Sequence, residues 1–303
     1  MRLGTRGSAL ARWQAGEVRR RLGELGEACQ LEVVQTTGDR RTDVRLATIG
    51  GKGLFTQEIE EGLLAGRLDL AVHSLKDVPS SLPPGLTLGA ILERHDPRDA
   101  LVAAPGTTLG SLPPRARLGT SSLRRQAQAL ALRPDLEILP LRGNVDTRLR
   151  RWRAGDFEAL LLAAAGLARL GLEAAIAERL DPEQFCPAAG QGALALECRA
   201  DDAATLAVLR RLDHAPTHAA VAAERALLRR LDCGCQAPVA AYAELEGGAG
   251  RLRLTALVAS PDGRRVVRRQ ASAPVAEAEA LGTAVAEELL EAGAAAILAA
   301  IYS

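Results

Sequence analysis

Aromatic side chains are nearly missing: Phe, Trp and Tyr together make up 2 % of the 303 residues. Binders of single-stranded nucleic acid rely on aromatic platforms for base stacking, so this class is disfavoured. A net charge of +1 also leaves no global field to draw the chain to DNA or to a membrane. No apolar run reaches the ~20 residues that a membrane helix needs. The opening Met1-Arg2-Leu3-Gly4-Thr5-Arg6-Gly7-Ser8 has no signal-peptide core. A cytoplasmic and reducing home is expected, with no membrane and no nucleic-acid partner. Five cysteines are an odd number, and only Cys233 and Cys235 lie close together, which argues against a disulfide framework. Lysine is the most informative scarcity. Of 38 basic residues, only Lys52 and Lys76 are lysine. A codon bias toward arginine explains the imbalance, yet such a bias spares lysine where a compact ammonium is needed. Both lysines sit in Gly-rich or loop-like segments, and this marks them as candidate functional residues.

What is present suits a folded chain of two or three domains, since 48 % of residues are hydrophobic and 25 % charged. Two segments begin alike. Arg2-Leu3-Gly4-Thr5 leads to Ser8, and Arg117-Leu118-Gly119-Thr120 leads to Ser121-Ser122. Each reads as a short strand, a Gly-Thr turn, a serine cap and a helix, which suggests two α/β domains of related design. Strands are expected at Leu31–Gln35, at Asp69–Val72 ending at His73, at Leu136–Leu141 and at Ala159–Ala163. A helix is expected over Leu54–Ala65, with Phe55, Ile59 and Leu63 on one face. Charged, Pro-containing Glu93–Asp99 and the stretch Phe185–Gly192 read as breaks. The last ~90 residues read as an α+β module: a helix over His218–Leu231, three strands (Ala240–Leu245, Leu252–Ala259, Arg265–Gln270) and a helical tail over Val275–Ala300.

Several segments carry chemistry. His73-Ser74-Leu75-Lys76-Asp77-Val78-Pro79 follows a buried strand, and open α/β sheets bind ligands beyond the carboxyl ends of their strands. Ser74, Lys76 and Asp77 are therefore placed at a site edge, while His73 alone reads as a hydrogen-bonded structural residue. Ser121, Ser122, Arg124 and Arg125 open a helix, an end that attracts anions but disfavours arginine. These two arginines either grip carboxylates or phosphates or lie on a solvated face. Arg6 and Ser8 repeat the arrangement. Arg142 and Arg148 again follow a strand, and Arg150, Arg151 and Arg153 read as an exposed helix side. Lys52 lies in the loop Gly50–Gly53, but no nucleotide-binding glycine pattern occurs in the right context, so an ordinary NTPase or dehydrogenase is rejected. Leu231–Pro238 holds the one cysteine cluster. Zinc, a redox pair and a single nucleophilic thiol in a turn all stay open there.

The motifs G-T-R-x-S at Gly4–Ser8, G-G-K-G-L-F at Gly50–Phe55, H-S-L-K-D-V-P at His73–Pro79 and D-P-R-D-A at Asp96–Ala100 occur in that order. G-T-S-S-L-R-R-Q at Gly119–Gln126, L-R-G-N-V-x-T-R-L at Leu141–Leu149, G-Q-G-A at Gly190–Ala193 and G-C-Q-x-P at Gly234–Pro238 follow. Together they resemble the porphobilinogen deaminase (hydroxymethylbilane synthase) family from end to end. The resemblance implies an α/β fold of three domains: two lobes like type II periplasmic binding proteins around a cleft, and a C-terminal α+β domain with a small antiparallel sheet. The first lobe would comprise residues 1–93 with 191–212, the second 97–187, and the cofactor-carrying domain 216–303. It implies a transferase that joins four porphobilinogen molecules head to tail with loss of ammonia and hydrolyses off the linear product, in porphyrin and heme biosynthesis. Its cofactor would be a dipyrromethane bound through a thioether to Cys235, with no metal, in a monomer. Asp77 would be catalytic. Arg6, Ser8, Lys52, Ser74, Lys76, Thr120, Ser121, Ser122, Arg124, Arg125, Arg142, Arg148, Arg169, Gln191 and Gly192 would bind cofactor and substrate. Relatives often carry glycine where Cys233 stands and lysine where Thr48 stands. The competing reading is a non-catalytic cytosolic binding protein for a small dianion.

Overall fold

The two segments that begin alike also fold alike. The computed structural model describes residues 1–36, 56–234, 237–247 and 250–302. Lys52, Thr48, Phe55 and the loop Gly50–Gly53 lie outside the described residues, as do Cys235 and Gln236. In chain order the first strands are β1 (Arg2–Arg6), β2 (Gln30–Val34), β3 (Leu70–Ser74) and β4 (Leu86–Ile91). They are followed by β5 (Asp99–Val102), β6 (Arg117–Gly119), β7 (Glu137–Leu139), β8 (Ala159–Ala163), β9 (Ile176–Arg179) and β10 (Leu194–Arg199). Helices α1 (Ala9–Glu24) and α2 (Gln57–Leu64) belong with the first strands, and α3 (Leu123–Leu132), α4 (Val145–Arg153) and α5 (Ala164–Arg169) with the second group.

The chain divides into two units, Met1–His95 with Ala193–His218 and Asp96–Gly192 with Ala219–Ser303. The first holds a five-stranded sheet in the order β2-β1-β3-β10-β4. The strands β1, β2 and β3 run parallel, and β10 pairs antiparallel with both β3 and β4. The second unit repeats this plan as β7-β6-β8-β5-β9, with β5 antiparallel to β8 and β9. The repetition reaches individual atoms. Arg2 donates its backbone N–H to Asp69 at 2.6 Å and its guanidinium to Gly66 O at 2.7 Å. Arg117 donates its backbone N–H to Glu158 at 2.6 Å and its guanidinium to Gly155 O at 2.9 Å. Gly4 and Gly119 serve one purpose: a Cβ at either would come within 2.6 Å of a leucine methyl, Leu68 or Leu160. Each glycine lets a leucine lie flat over the strand.

Strand β8 shows why both faces of these sheets are covered. Its run Ala159-Leu160-Leu161-Leu162-Ala163 sends Ala159 and Leu161 into one apolar cluster and Leu160 and Leu162 into another. An uninterrupted apolar strand is what such double burial requires. Strand β7 stops at Leu139, short of the expected Leu141, because Pro140 has no N–H to donate. Strand β3 runs on through Ser74, past the expected end at His73, because Leu194 of β10 pairs with it there.

Helix α6 (Ala203–Leu209) belongs to the first unit, and α7 (Ala215–Arg230) carries the chain into the second. There β11 (Val239–Glu246), β12 (Arg251–Ala259) and β13 (Val266–Pro274) form an antiparallel meander. Leu252, Leu254, Ala256 and Val258 alternate inward against α7 and α8 (Ala278–Leu289), and α9 (Ala295–Tyr302) ends the chain. Leu257 and Ala259 point the other way, onto Ala127 of α3 and Cys186.

Candidate functional site

The carboxyl ends of the parallel strands β1 and β3 meet at one recess of the first unit. Arg6 ends β1, Ser8 caps α1, Ser74 ends β3, and Asp77 closes the short 3-10 turn Leu75–Asp77; all four line this recess. Local chemistry sets each position. Ser8 Oγ accepts from the Ala11 N–H at 3.2 Å, a helix N-cap that satisfies an otherwise unpaired donor. The turn is tied down by the Leu75 N–H, which donates to Ala193 O at 3.1 Å, and by the Val78 N–H, which donates to Leu75 O at 3.1 Å. Asp77 is left exposed, beside half-buried Lys76. Gln14, which motif reasoning did not single out, is buried and donates to Ser74 Oγ at 2.8 Å. It lies six residues beyond the Ser8 cap, and Gln128 lies six beyond the Ser122 cap. The structural echo therefore held the signal for it.

In the second unit the two arginines that open α3 have an acidic partner inside the fold. Arg124 and Arg125 are buried, not on a solvated face, and the described carboxylate between them is the protein's own Asp99. Arg124 reaches Asp99 at 2.7 and 3.2 Å, and Arg125 Nε reaches it at 2.8 Å. Gln191 donates to the same carboxylate at 3.1 Å and to Pro97 O at 2.8 Å. Burial by itself pushes the Asp99 carboxyl up, but the charges of the two guanidiniums and the hydrogen bonds from Arg124 and Gln191 outweigh it. They hold the group well below the usual carboxylate range. Asp99 belongs to the D-P-R-D-A motif, yet its role depends on partners far along the chain.

The neighbouring serines and arginines shape the loops around this cluster. Ser121 Oγ donates to Leu141 O at 2.9 Å and accepts from the Leu141 N–H at 3.0 Å, which binds the turn after β7 to the end of β6. Ser122 caps α3, and buried Thr120 accepts from the Ser122 N–H at 3.2 Å. Arg148 Nε donates to Gly143 O at 2.7 Å, while Arg142 is half-buried on the same turn. Arg169 donates to Gly192 O at 2.7 Å, and burial pushes its pKa down to about 10, so it stays charged at neutral pH.

The thiols separate sharply. Burial pushes Cys186 up to about 12 and Cys198 up to about 11, which leaves both unreactive. Cys233 is buried in the apolar core of the C-terminal sheet, with Leu231 and Ala237. A bulky group on its sulfur would have to displace that core.

Two family descriptions match the chain: "Porphobilinogen deaminase, dipyromethane cofactor binding domain" over residues 1–207 and "Porphobilinogen deaminase, C-terminal domain" over residues 218–291. The porphobilinogen deaminase of Pelobacter propionicus is 50 % identical over 304 residues, covering 100 % of this chain and 97 % of its own. That of Syntrophotalea carbinolica is 53 % identical over 303 residues, covering 99 % and 96 %. Among solved structures, a periplasmic substrate-binding protein of an ABC transporter from Coxiella burnetii covers 70 % of this chain and 91 % of its own, at 14 % identity and a TM-score of 0.43. On the strength of the full-length matches, the chain belongs to the porphobilinogen deaminase family.

Proposed function

We propose that this protein condenses four porphobilinogen molecules head to tail, releasing ammonia at each step, and then hydrolyses off hydroxymethylbilane. The observation that carries this reading is the recess that sets Arg6 and the Ser8 and Ser74 hydroxyls beside Asp77. The donor set fits a pyrrole that bears an acetate and a propionate. Guanidinium and hydroxyl groups suit the carboxylates, and one carboxylate suits the ring N–H. A dipyrromethane on Cys235, when bound, supplies the nucleophilic ring from which the product is extended. The burial of Cys233 supports Cys235 as the anchor.

The residues then have distinct tasks. Arg6 and Ser8 orient a substrate carboxylate in the recess. As ammonia leaves, positive charge spreads onto the substrate pyrrole nitrogen, and the Asp77 carboxylate stabilises it electrostatically. After the carbon–carbon bond forms, Asp77 takes the proton from the ring α-carbon. Lys52, Lys76, Arg142, Arg148 and Arg169 are assigned to the carboxylates that accumulate on the growing chain, and Thr120, Ser121, Ser122 and Gly192 are assigned to binding with them. Arg124, Arg125 and Gln191 enter through the Asp99 cluster. A three-domain division and a cytoplasmic monomer belong to the same proposal. Intact-mass measurement tests it: the native protein should exceed its sequence mass by two linked pyrroles and should consume porphobilinogen. A bare-chain mass after incubation with porphobilinogen would refute it.

A further inference from the structure

Behind the recess lies a buried carboxyl–imidazole hydrogen bond that neither the caps nor the arginines explain. Glu197 stands on β10 and is wholly buried, and its Oε2 is 2.9 Å from Nε2 of His73 on β3. In the antiparallel pair Glu197 lies opposite Ala71, so Glu197 and His73 are diagonal neighbours on one sheet face. His73 in turn lines the recess that Asp77 lines. His73 thus connects the buried Glu197 to the wall of the recess.

Stability alone does not call for such a pair. A buried polar pair is often matched or bettered by apolar residues of similar volume. This one also leaves Glu197 Oε1 and nearby Glu60 Oε1 without hydrogen-bond partners among the described residues. Burial pushes Glu60 toward its neutral form, opposed by Thr56 and His73 and assisted by Glu197. An ionised carboxylate only accepts hydrogen bonds, so an ionised Glu197 obliges His73 to carry a proton on Nε2. That bond sets both the tautomer and the plane of the ring.

We infer that Glu197 is a positioning residue which, through Nε2 of His73, holds the imidazole in one tautomer and one orientation in the recess beside Asp77. The inference rests on the porphobilinogen reading for its effect on turnover, but not for the state of the ring.

The test is Glu197→Gln, which keeps the size of the side chain and removes its charge. With porphobilinogen, kcat should fall about 10-fold or more while KM shifts less than about 3-fold, the signature of an interaction that matters in the transition state. The chain has four histidines, so nitrogen–proton correlation spectra of the rings can be assigned with His73→Gln. His73 should show a protonated Nε2 in the wild type and mixed tautomers in Glu197→Gln. Unchanged kcat in the variant, or a bare Nε2 in the wild type, would overturn the inference. So would a parallel loss of kcat and thermal stability with the tautomer unaltered, which would mark a purely structural role. A wild type inactive on porphobilinogen would instead refute the reaction, and the ring spectra would still decide the pair.

Discussion

Arg124 donates twice to Asp99, 25 positions earlier in the chain, and both side chains are buried. With Arg125 on the same carboxylate, two guanidiniums are held inside the fold by one acid. Replacing Asp99 by Ala removes the carboxylate that two buried guanidiniums share and should destabilise the protein by roughly 3–5 kcal/mol. Denaturant unfolding measures this, and a loss below about 1 kcal/mol would mean that the cluster opens to water. The pH dependence has a definite sign. Asp99 is depressed in the fold, so its contribution is full above the ordinary aspartate value of about 4 and fades as pH falls below it. The wild type should therefore lose more stability than Asp99→Asn between neutral and acidic pH.

Asp77 is exposed, so its removal should spare the fold while abolishing chemistry. Asp77→Ala should keep its melting temperature and its substrate affinity, and lose at least about 100-fold in kcat. Steady-state kinetics with porphobilinogen decides this, and near-normal turnover would remove Asp77 from the catalytic role.

The cysteines should divide by surroundings. Cys186 and Cys198, pushed up to about 12 and 11 by burial, should resist alkylation at pH 8 until the protein unfolds. Cys233→Ser should retain the mass of the dipyrromethane, whereas Cys235→Ser should lose it. Peptide mapping and intact mass read both outcomes, and the reverse pattern would move the anchor to Cys233.

Ser8 has two tasks that can be measured separately. Its hydroxyl caps α1, so Ser8→Ala should cost about 1 kcal/mol. Ser8 also lines the recess, so the same variant should raise KM. Ser122→Ala tests the matching cap on α3. A Ser8→Ala variant with a lowered melting temperature but unchanged KM would confine Ser8 to capping.

Local structure was legible in the chain itself. The strand over Ala159–Ala163, the serine caps, the helix carrying Ile59 and Leu63, and the three C-terminal strands all follow from signals a few residues apart. Strand-end reasoning also put Asp77 just beyond β3, where it lines the recess. The shared opening of Arg2–Thr5 and Arg117–Thr120 even foreshadowed two sheets of one design.

What the sequence by itself determined was the elements, the family and the identity of the chemical groups, because capping, periodicity and motif spacing act over short range. Tertiary structure alone decided which charges meet. The Arg124–Arg125 pair looked the same in sequence whether it faced water or a carboxylate, and only the folding of β5 against β8 brought Asp99 to it. Likewise Glu197 became His73's partner only when β10 paired with β3, 124 positions apart in the chain. A charged group's role is set by its desolvation and its nearest opposite charge, and both come from distant segments that local sequence does not name.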